Sequence, residues 1–462
     1  MASVPPIVVL GGGPAGAAAS LLLAKWGHEV QLVTRPPVSR GLAVALPPSC
    51  GKLFDAIGVS DAIESVGFPR STGNTVWWGG RDPRVELFAS GARGWQVDVD
   101  ALANVILSEA ITAGVAVEQS TVRELPDGFV LDCTGRAGVI ARATRLRQLP
   151  EGPRTVALVG VWWRDGGWPV PDDSHTLIES YGDGWIWSVP SAPGLRHIAA
   201  MVDPQRSALT RGRSSANVYR DEISKTRVFR AITADASMIE GPRGFDASPY
   251  RASAYAGERW LLVGDAGSFV DPLSSAGVKK SLASAWLAAV AVNTALKNPS
   301  LRADAFEFFS AREVEIERHL SRESQRFLAG AAAGHDGPFW DERSDEEAAE
   351  EEDLIQVRQA FVRLKAREVW QPRMSPSISI RPRPIVRGNE IVLEPHIVSV
   401  DHPRGIRYVR GVDLVALIEL ASGTRQVPDL YETYVQRAGP AALHDFLFAV
   451  STAVARGWLV AE

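Results

Sequence analysis

The start of the chain alternates apolar runs with short breaks in the order strand, helix, strand. Residues 6–10 form a continuous, mostly β-branched run, which is typical of a strand buried in a parallel sheet. An Ala/Leu-rich stretch over 17–26 predicts a helix, and residues 30–34 predict the next strand. This order predicts the beginning of a Rossmann-like α/β domain.

Glycines separate the first predicted strand from the helix with the spacing G-x-G-x-x-G, at Gly11, Gly13 and Gly16, with Pro14 and Ala15 between the last two. Glycine at these positions allows a tight turn and lets a pyrophosphate approach the helix N-terminus. The motif therefore predicts an adenine dinucleotide site, with a purely structural turn as the alternative.

The end of the second strand departs from the usual pattern. Thr34 and Arg35 stand where an acidic residue normally binds the adenosine ribose. Because the Thr34 hydroxyl can still exchange a hydrogen bond with a ribose, we keep both residues in the predicted cofactor site, together with Arg40.

The middle of the chain predicts a change of sheet type. Residues 128–135 read as a strand that ends in Asp132 and Gly135. Four later runs have the apolar and polar alternation of antiparallel strands, at 156–163, 175–179, 185–189 and 197–202. We expect them to form a substrate-domain sheet at 156–239, inserted into a nucleotide domain made of 1–155 and 240–300.

The rest of the chain predicts helices and then a small domain. A buried strand at 260–263 precedes a glycine-rich turn, and an Ala/Leu-rich helix follows residue 276. Residues 301–370 read as a helical segment around an acidic run at 341–353, interpreted as a solvated linker or helix face, with a docking surface as the alternative. Residues 371–462 are long enough for a separate domain.

Composition narrows the function. The chain of 462 residues has a formal net charge of −5 and lacks the basic footprint of a nucleic-acid protein. Two cysteines give neither a disulfide framework nor a metal-ligand cluster, so no metal is expected. The apolar stretch 281–296 is shorter than the ~20 residues that span a bilayer, and no signal-peptide pattern is seen at the start, so we expect a cytoplasmic protein without a membrane partner.

Four segments in this order resemble the glutathione-reductase-type FAD proteins, in particular the flavin monooxygenase and halogenase branch. They are the glycine motif, Asp132 to Arg136, the Trp185-x-Trp187-x-x-Pro motif, and 264–278. The resemblance implies an FAD site in which Asp265, after Gly264, holds the ribityl chain. It also implies that Pro272 and the backbone of Ala276, Gly277 and Val278 face the flavin ring, where a helix N-terminus stabilises the anionic reduced flavin.

The resemblance also implies the chemistry. Reduced FAD reacts with O2 to give a C4a-hydroperoxide, with NAD(P)H or a separate flavin reductase supplying electrons. Halogenases of this branch use a lysine that carries the hypohalous oxidant, yet 53–224 contains none and Lys52 lies just before it. The Trp-x-Trp motif argues in the other direction, because in halogenases it is thought to keep the hydroperoxide from acting directly. Core packing is the alternative role for Trp185 and Trp187.

Three further segments resemble a narrower group of flavoproteins, which oxidise a peptidyl tryptophan during cysteine tryptophylquinone biogenesis, as in the small subunit of quinohaemoprotein amine dehydrogenase. Residues 46–49 and the segments around Trp77, Trp78 and Trp95 carry this likeness, and these indoles are expected to line a substrate cavity or to fill the core. The tail resembles a PqqD-like winged-helix α+β domain, which captures peptides by adding a strand to its edge at 381–387. A generic small domain is the alternative.

Together these features predict an FAD-dependent monooxygenase that hydroxylates tryptophan within a polypeptide, preparing a quinone cofactor. Hydroxylation needs a base, for which the predicted sheet offers His175, Glu179, Asp183 and His197, and the sequence does not choose among them. A halogenase or aromatic hydroxylase of a small molecule, and a flavin-bearing chaperone without activity, are the alternatives.

Overall fold

The computed structural model describes residues 6–36, 41–80, 82–122, 125–207, 209, 213–343, 351–366 and 370–461. The chain divides into two compact units, 1–345 and 346–462. The sequence expectation placed the last boundary at 370/371 instead, inside the second unit.

The strands are β1 Ile7–Leu10, β2 Val30–Thr34, β3 Ala43–Leu46, β4 Arg70–Ser71, β5 Gly73–Trp77, β6 Arg84–Leu87, β7 Gly94–Asp98, β8 Ala116–Gln119, β9 Phe129–Asp132, β10 Arg147–Gln148, β11 Val156–Trp163, β12 Thr176–Tyr181, β13 Gly184–Ala192, β14 Leu195–Val202, β15 Ser237–Asp246, β16 Tyr250–Ala252, β17 Trp260–Leu262, β18 Ser268–Phe269, β19 Pro372–Met374, β20 Ser379–Arg387, β21 Glu390–Val398, β22 Tyr408–Val409, β23 Val412–Asp413 and β24 Leu459–Ala461.

The α-helices are α1 Pro14–Lys25, α2 Gly51–Ile57, α3 Ser60–Val66, α4 Val99–Thr112, α5 Val139–Ala143, α6 Ser215–Lys225, α7 Val228–Thr233, α8 Gly277–Lys297, α9 Arg302–Ala332, α10 Pro338–Asp341, α11 Glu351–Lys365, α12 Leu414–Ala421, α13 Val427–Ala438 and α14 Leu443–Ala455.

A five-stranded parallel sheet in the order β17-β9-β1-β2-β8 forms the nucleotide-binding part of the first unit. All four residues of the central strand β1 are buried, as the continuous apolar run predicted. Helices α1, α4 and α8 pack together beside it. The predicted α/β, Rossmann-like class is confirmed.

A seven-stranded sheet in the order β15-β11-β14-β13-β12-β5-β6 forms the second layer. It extends beyond the predicted range of 156–239, because β5 and β6 come from earlier in the chain and β15 runs to Asp246. Strand β5 joins parallel to β12, whereas the core strands β11 to β14 pair antiparallel as expected. Strand β6 is mostly exposed, although its four residues alternate between polar and apolar, and so short a run gives only a weak strand signal.

The two faces of this sheet are covered by different parts of the chain. One face, here called the helix face, packs Leu177, Tyr181 and Ile186 against α6 and α7. The other, here called the aromatic face, packs Trp185 and Trp187 with side chains from the end of α9 and from α10. A side chain on this sheet therefore reaches one of two separate environments.

The second unit has its own core, built on α12, α13 and α14 and centred on the fully buried Phe446. Such a helix cluster beside a long hairpin suits the small α+β domain predicted for the tail. Among the described residues no single helix is long and apolar enough to span a membrane; only α13 and α14 taken together reach that composition, and they are bent by 108°.

The hairpin of β20 and β21 has an edge that is interrupted by prolines. The backbone N–H of Ile397 donates to Ile406 O, so Ile397 points away from its β20 partner Ile380. Alternation then directs Pro382 and Pro384 outward on the opposite edge. Because proline has no N–H, the centre of the β20 edge accepts but cannot donate hydrogen bonds. The same prolines that oppose self-pairing thus also oppose the peptide strand addition predicted at 381–387.

We expect the double substitution Pro382→Ala and Pro384→Ala to create a strand edge that pairs with other molecules, because it restores two outward donors. Analytical ultracentrifugation over a concentration series should show self-association of this variant. Pro376→Ala, outside the strand, is the matched control and should sediment like the wild type. Unchanged sedimentation of the double variant would contradict the assigned edge geometry.

Candidate functional site

The glycine loop before α1 is too close-packed to hold side chains. Gly11 has φ +100°, and a Cβ there would lie 2.6 Å from Cys133 O; a Cβ on Gly16 would lie 1.8 Å from Gly11 O. The loop leads into the N-terminus of α1, where Pro14, Ala15 and Gly16 form the first turn after Gly13. Free backbone N–H groups at that end attract an anionic group such as a pyrophosphate.

Thr34 supports this loop from β2. Its Oγ1 accepts a hydrogen bond from Gly12 N at 3.2 Å and lies 3.3 Å from Arg35 O, to which it donates. The hydroxyl hydrogen is therefore already donated to Arg35 O, so Thr34 could only accept a hydrogen bond from a ribose. Arg35 is exposed at the end of the strand, and Arg40 lies outside the described residues.

Asp132 holds the neighbouring turn together. Its Oδ1 accepts from Thr134 N at 3.0 Å and Thr134 Oγ1 at 2.6 Å, and its Oδ2 accepts from Ile140 N at 2.7 Å. Asp132 is fully buried, so in this structure its side chain positions the turn, and its place in the predicted cofactor site stays a prediction. Gly135, at φ +60°, has open space beside its Cα and can accommodate a ligand.

The segment 264–278, here called the flavin loop, forms the second half of the site. Gly264 has φ +62°, and its N–H donates to Ser284 Oγ at 2.8 Å, which fixes the turn that presents Asp265. Asp271 caps the turn that begins at Pro272 through a 2.9 Å bond from Leu273 N. Ser275 then adopts φ +49°, a conformation that costs a non-glycine residue of the order of 1 kcal/mol and that marks functional loops.

Helix α8 begins at Gly277, two residues after Ser275. A Cβ on Gly277 would meet no atom within 4 Å, so the space before the helix is open. Ala276 precedes Gly277 and Val278, whose N–H groups lie at the positive end of a 21-residue helix. Together with the glycine loop, these features provide a cradle for a dinucleotide and a positive helix end for an anionic ring, so the residues present fit FAD.

Two of the predicted bases lie on the wrong side of the sheet. Both oxygens of the Glu179 carboxylate accept from backbone N–H groups at the start of α7, with Arg227 N at 2.7 Å and Phe229 N at 3.1 Å. Glu179 is thus a buried helix cap on the helix face. Asp183 lies in the β12–β13 turn and binds Lys225 Nζ of α6 at 2.8 Å. Neither can serve chemistry on the aromatic face, which corrects the prediction.

His175 is also structural. Its Nδ1 lies 2.9 Å from Thr75 Oγ1 and its Nε2 lies 2.9 Å from Thr72 Oγ1, and only 2% of the residue is exposed. Because both ring nitrogens have hydrogen-bond partners and the ring has no access to a ligand, the prediction that His175 is a base is corrected as well.

His197 is the one candidate base that shares the aromatic face with Trp187. It pairs with Val189, which lies two residues from Trp187 on the same side of β13. Its Nδ1 lies 3.2 Å from Gly41 O, and since a carbonyl only accepts, Nδ1 must carry the hydrogen. Nε2 then carries the lone pair. Burial lowers the pKa of His197 below its ordinary value, although Gly41 O, Asp98 and Glu240 oppose the shift.

The aromatic face is lined with indoles. Trp78 packs edge-on against Trp185 and Trp340, with ring centroids 6.3 and 5.6 Å apart. Trp187 belongs to the same cluster as Leu273 of the flavin loop, and its buried Nε1 has no hydrogen-bond partner among the described residues. The cluster thus connects the Trp-x-Trp motif to the flavin loop.

Two of the tryptophans expected in a cavity lie elsewhere. Trp77 packs on the helix face. Trp95 packs edge-on against Phe54 and donates its Nε1 hydrogen to Glu64 Oε1 at 3.1 Å. Of the three predicted cavity indoles, only Trp78 lies beside Trp185.

Sequence reasoning missed Trp340, which donates its indole hydrogen to Tyr181 O at 2.9 Å, and the buried pair Lys280 and Glu313. A signal for the pair was present, because Lys280 interrupts an otherwise apolar helix pattern and a charged side chain on such a face needs a partner.

Comparison with known proteins agrees with this geometry. Residues 5–127 match the FAD binding domain family. The chain is 27% identical over 341 residues to tryptophan 2-halogenase of Chondromyces crocatus, covering 66% of this chain and 64% of that protein. It is 24% identical over 355 residues to flavin-dependent halogenase rdc2 of Metacordyceps chlamydosporia, covering 67% and 68%. The chain thus spans about two thirds of the length of these relatives.

Solved structures show the same fold over nearly the whole chain. The flavin-dependent halogenase CmlS matches with a TM-score of 0.80 and 19% identity, covering 100% of this chain and 96% of that one. Peptidyl tryptophan dihydroxylase QhpG, essential for tryptophylquinone cofactor biogenesis, matches with a TM-score of 0.65 and 22% identity, covering 98% and 100%.

The fold and the two-part cradle define a flavoprotein with an FAD-binding domain. The chain is thus similar in sequence to flavin-dependent halogenases, and it shares its fold with both a flavin-dependent halogenase and a peptidyl tryptophan dihydroxylase.

We expect Gly16→Ala to weaken FAD binding by about 10- to 100-fold, because the new methyl group forces the loop backbone apart at a cost of ~1–3 kcal/mol. Flavin absorbance per mole of purified protein measures the effect. Gly80→Ala is the matched control, since the space around Gly80 is open. Full flavin content in the Gly16→Ala protein would contradict the assigned pyrophosphate site.

Proposed function

We propose that this protein is an FAD-dependent monooxygenase that hydroxylates the indole ring of a tryptophan within a polypeptide, with reduced FAD and O2 as co-reactants. The observation that carries the proposal is the aromatic face, where a packed indole cluster adjoins the flavin loop through Leu273 and where the Nε2 of His197 carries a lone pair. When bound, FAD supplies the activated oxygen, and this chain supplies the orientation of the substrate and a proton acceptor.

The distribution of lysine favours oxygenation over halogenation. The chain has no lysine between Leu53 and Ser224, and Lys52 is exposed on α2. Lys225 binds Asp183 and Glu222 beside the helix face. No lysine projects from the aromatic face over the described residues, so the ammonium that a halogenase uses to carry its oxidant is missing from the surface where a substrate indole would lie.

His197 is proposed as the base that takes the ring or indole proton after oxygen transfer. Its Nδ1–H bond to Gly41 O holds the imidazole in the tautomer whose Nε2 accepts a proton. The lowered pKa keeps the ring neutral at pH 7, which a base requires. The unpartnered Nε1–H of Trp187, on the same face of the described sheet, is available to orient a polar group of the substrate.

The second unit supports a polypeptide substrate through its charge. Residues 370–410 hold seven arginines and three acidic residues, so the hairpin region is basic in a chain whose net charge is −5. We propose that side-chain contacts to an acidic precursor polypeptide, such as the small subunit of an amine dehydrogenase, replace strand addition at the proline-interrupted edge.

Electrons are proposed to come from NAD(P)H, directly or through a separate flavin reductase. The sequence has one dinucleotide fingerprint, which the FAD site uses. A nicotinamide would therefore bind only transiently.

Halogenation of an aromatic compound is the second candidate function. The similarity to a tryptophan 2-halogenase and to other flavin-dependent halogenases favours it. In that case free tryptophan or another small aromatic molecule would occupy the aromatic face, and halide would be required.

Intact mass of a tryptophan-containing precursor polypeptide after incubation with the protein, NAD(P)H, a flavin reductase, O2 and bromide distinguishes these functions. Addition of one or two oxygen atoms, independent of bromide, is the expected result. A bromine isotope pattern, on the polypeptide or on free tryptophan tested in parallel, would replace the proposal with halogenation. An unmodified polypeptide that still co-purifies with the protein would indicate a flavin-bearing chaperone.

We expect His197→Asn to lower the hydroxylation rate by about 100-fold, the usual contribution of a general base, because Asn keeps the donor to Gly41 O but lacks Nε2. The wild-type rate should fall only as the pH drops below the lowered pKa of His197, and the variant should lose this acidic limb. Glu179→Gln is the matched control: it should reduce the melting temperature while the rate per folded enzyme stays the same. If both variants lost the same amount of hydroxylation rate, the assignment of His197 to the aromatic face and of Glu179 to the helix face as the basis of their roles would be wrong.

A further inference from the structure

A buried charge cluster lies directly behind the flavin loop. The Nζ of Lys280, in the first turn of α8, lies 3.2 Å from Oδ1 of Asp265 and also donates to Ser268 O. The Lys280 side chain is 2% exposed, whereas the Asp265 side chain is 27% exposed. The ammonium therefore contacts the carboxylate from the protein interior, and the outer side of the carboxylate stays accessible.

A second carboxyl group approaches the same ammonium from α9. Glu313 is 1% exposed and interacts electrostatically with Lys280, Asp265 and Tyr255. Neither of its oxygens accepts a hydrogen bond of ordinary geometry from the described residues, although the Ser284 hydroxyl is close enough to favour the ionised form. Ser284 Oγ in turn accepts the Gly264 N–H that fixes the turn.

Burial raises the pKa of Glu313 to about 7, while Lys280 acts to lower it and Asp265 to raise it. Below that pH the carboxyl is neutral, and Lys280 serves Asp265 alone. Above it, two carboxylates share one ammonium, and the cluster gains one negative charge. Because a buried cation is costly without a partner, Lys280 needs at least one ionised carboxylate beside it, and Asp265 supplies it.

We propose that Lys280 and Glu313 are positioning residues of the FAD site: Lys280 fixes the Asp265 carboxylate and the 264–269 turn, and Glu313 controls the net charge of that cluster. The inference rests on the proposed binding of FAD at this loop. FAD carries a negatively charged pyrophosphate, so a more negative cluster weakens its binding, and the affinity becomes dependent on pH near neutrality.

FAD affinity of the apoprotein, measured by flavin fluorescence at pH 6 and pH 8, tests the proposal without any turnover. Lys280→Met should weaken binding by about tenfold at both pH values, because the Asp265 carboxylate loses its charge-assisted donor. Lys279→Met, the adjacent lysine that binds Ser49 Oγ at 2.9 Å, is the control and should bind like the wild type.

Glu313→Gln gives the readout that a merely structural role would not affect. It should bind FAD as the wild type does at pH 6 and about threefold more tightly than the wild type at pH 8, the size of one partly screened charge interaction. Glu315→Gln, exposed on the same helix, should follow the wild-type profile. If Lys280→Met does not fold, this pH comparison decides alone.

The inference is overturned if Glu313→Gln keeps the wild-type pH dependence, or if folded Lys280→Met binds FAD with wild-type affinity. A wild-type protein that takes up no FAD at either pH would instead contradict the proposed function.

Discussion

The alternation of side chains across the seven-stranded sheet is the constraint on which the candidate chemistry depends. Each strand sends neighbouring residues to opposite faces, and both faces are covered. The helix face is closed by α6 and α7, where Glu179 and Tyr181 are used for capping and packing. The aromatic face, in contrast, packs against Leu273 of the flavin loop. The pairing register therefore decides which polar residues can act on a substrate.

Charge burial imposes a second constraint on the flavin loop. A loop that presents a carboxylate to a ligand must fix its orientation and keep it ionised. Lys280 provides both by contacting the Asp265 carboxylate from the protein interior. Glu313 approaches the same ammonium from α9, and Lys280 acts to lower the pKa of its carboxyl group. The long helices α8 and α9 thus have a role beyond packing, since together they place the charged groups behind the turn between β17 and α8.

Much of the nucleotide-binding part could be predicted from the sequence, because backbone geometry dictates the residue type there. Gly11 and Gly16 have no room for a methyl group. The structure therefore requires glycine at these positions, and the G-x-G-x-x-G spacing can be recognised in the sequence. The base could not be predicted in this way. Glu179, Trp185 and His197 are all odd-numbered, yet Glu179 lies opposite the other two, because the turns between strands reset the alternation. Contacts such as Trp78 with Trp340 join residues far apart in sequence, and no local pattern encodes them.

The fold resembles that of a halogenase and also that of a peptidyl tryptophan dihydroxylase, because the fold and the residues that select the reaction are separate features. The fold supplies the flavin cradle and a covered sheet face, and these serve either reaction. A halogenase additionally needs a cation near the substrate to carry an electrophilic halogen, whereas a hydroxylase needs a group that accepts a proton. In this chain the described aromatic face bears an imidazole in the accepting tautomer and no ammonium. Under the proposed function, the protonation of this one side chain, and not the architecture that surrounds it, therefore favours hydroxylation over halogenation.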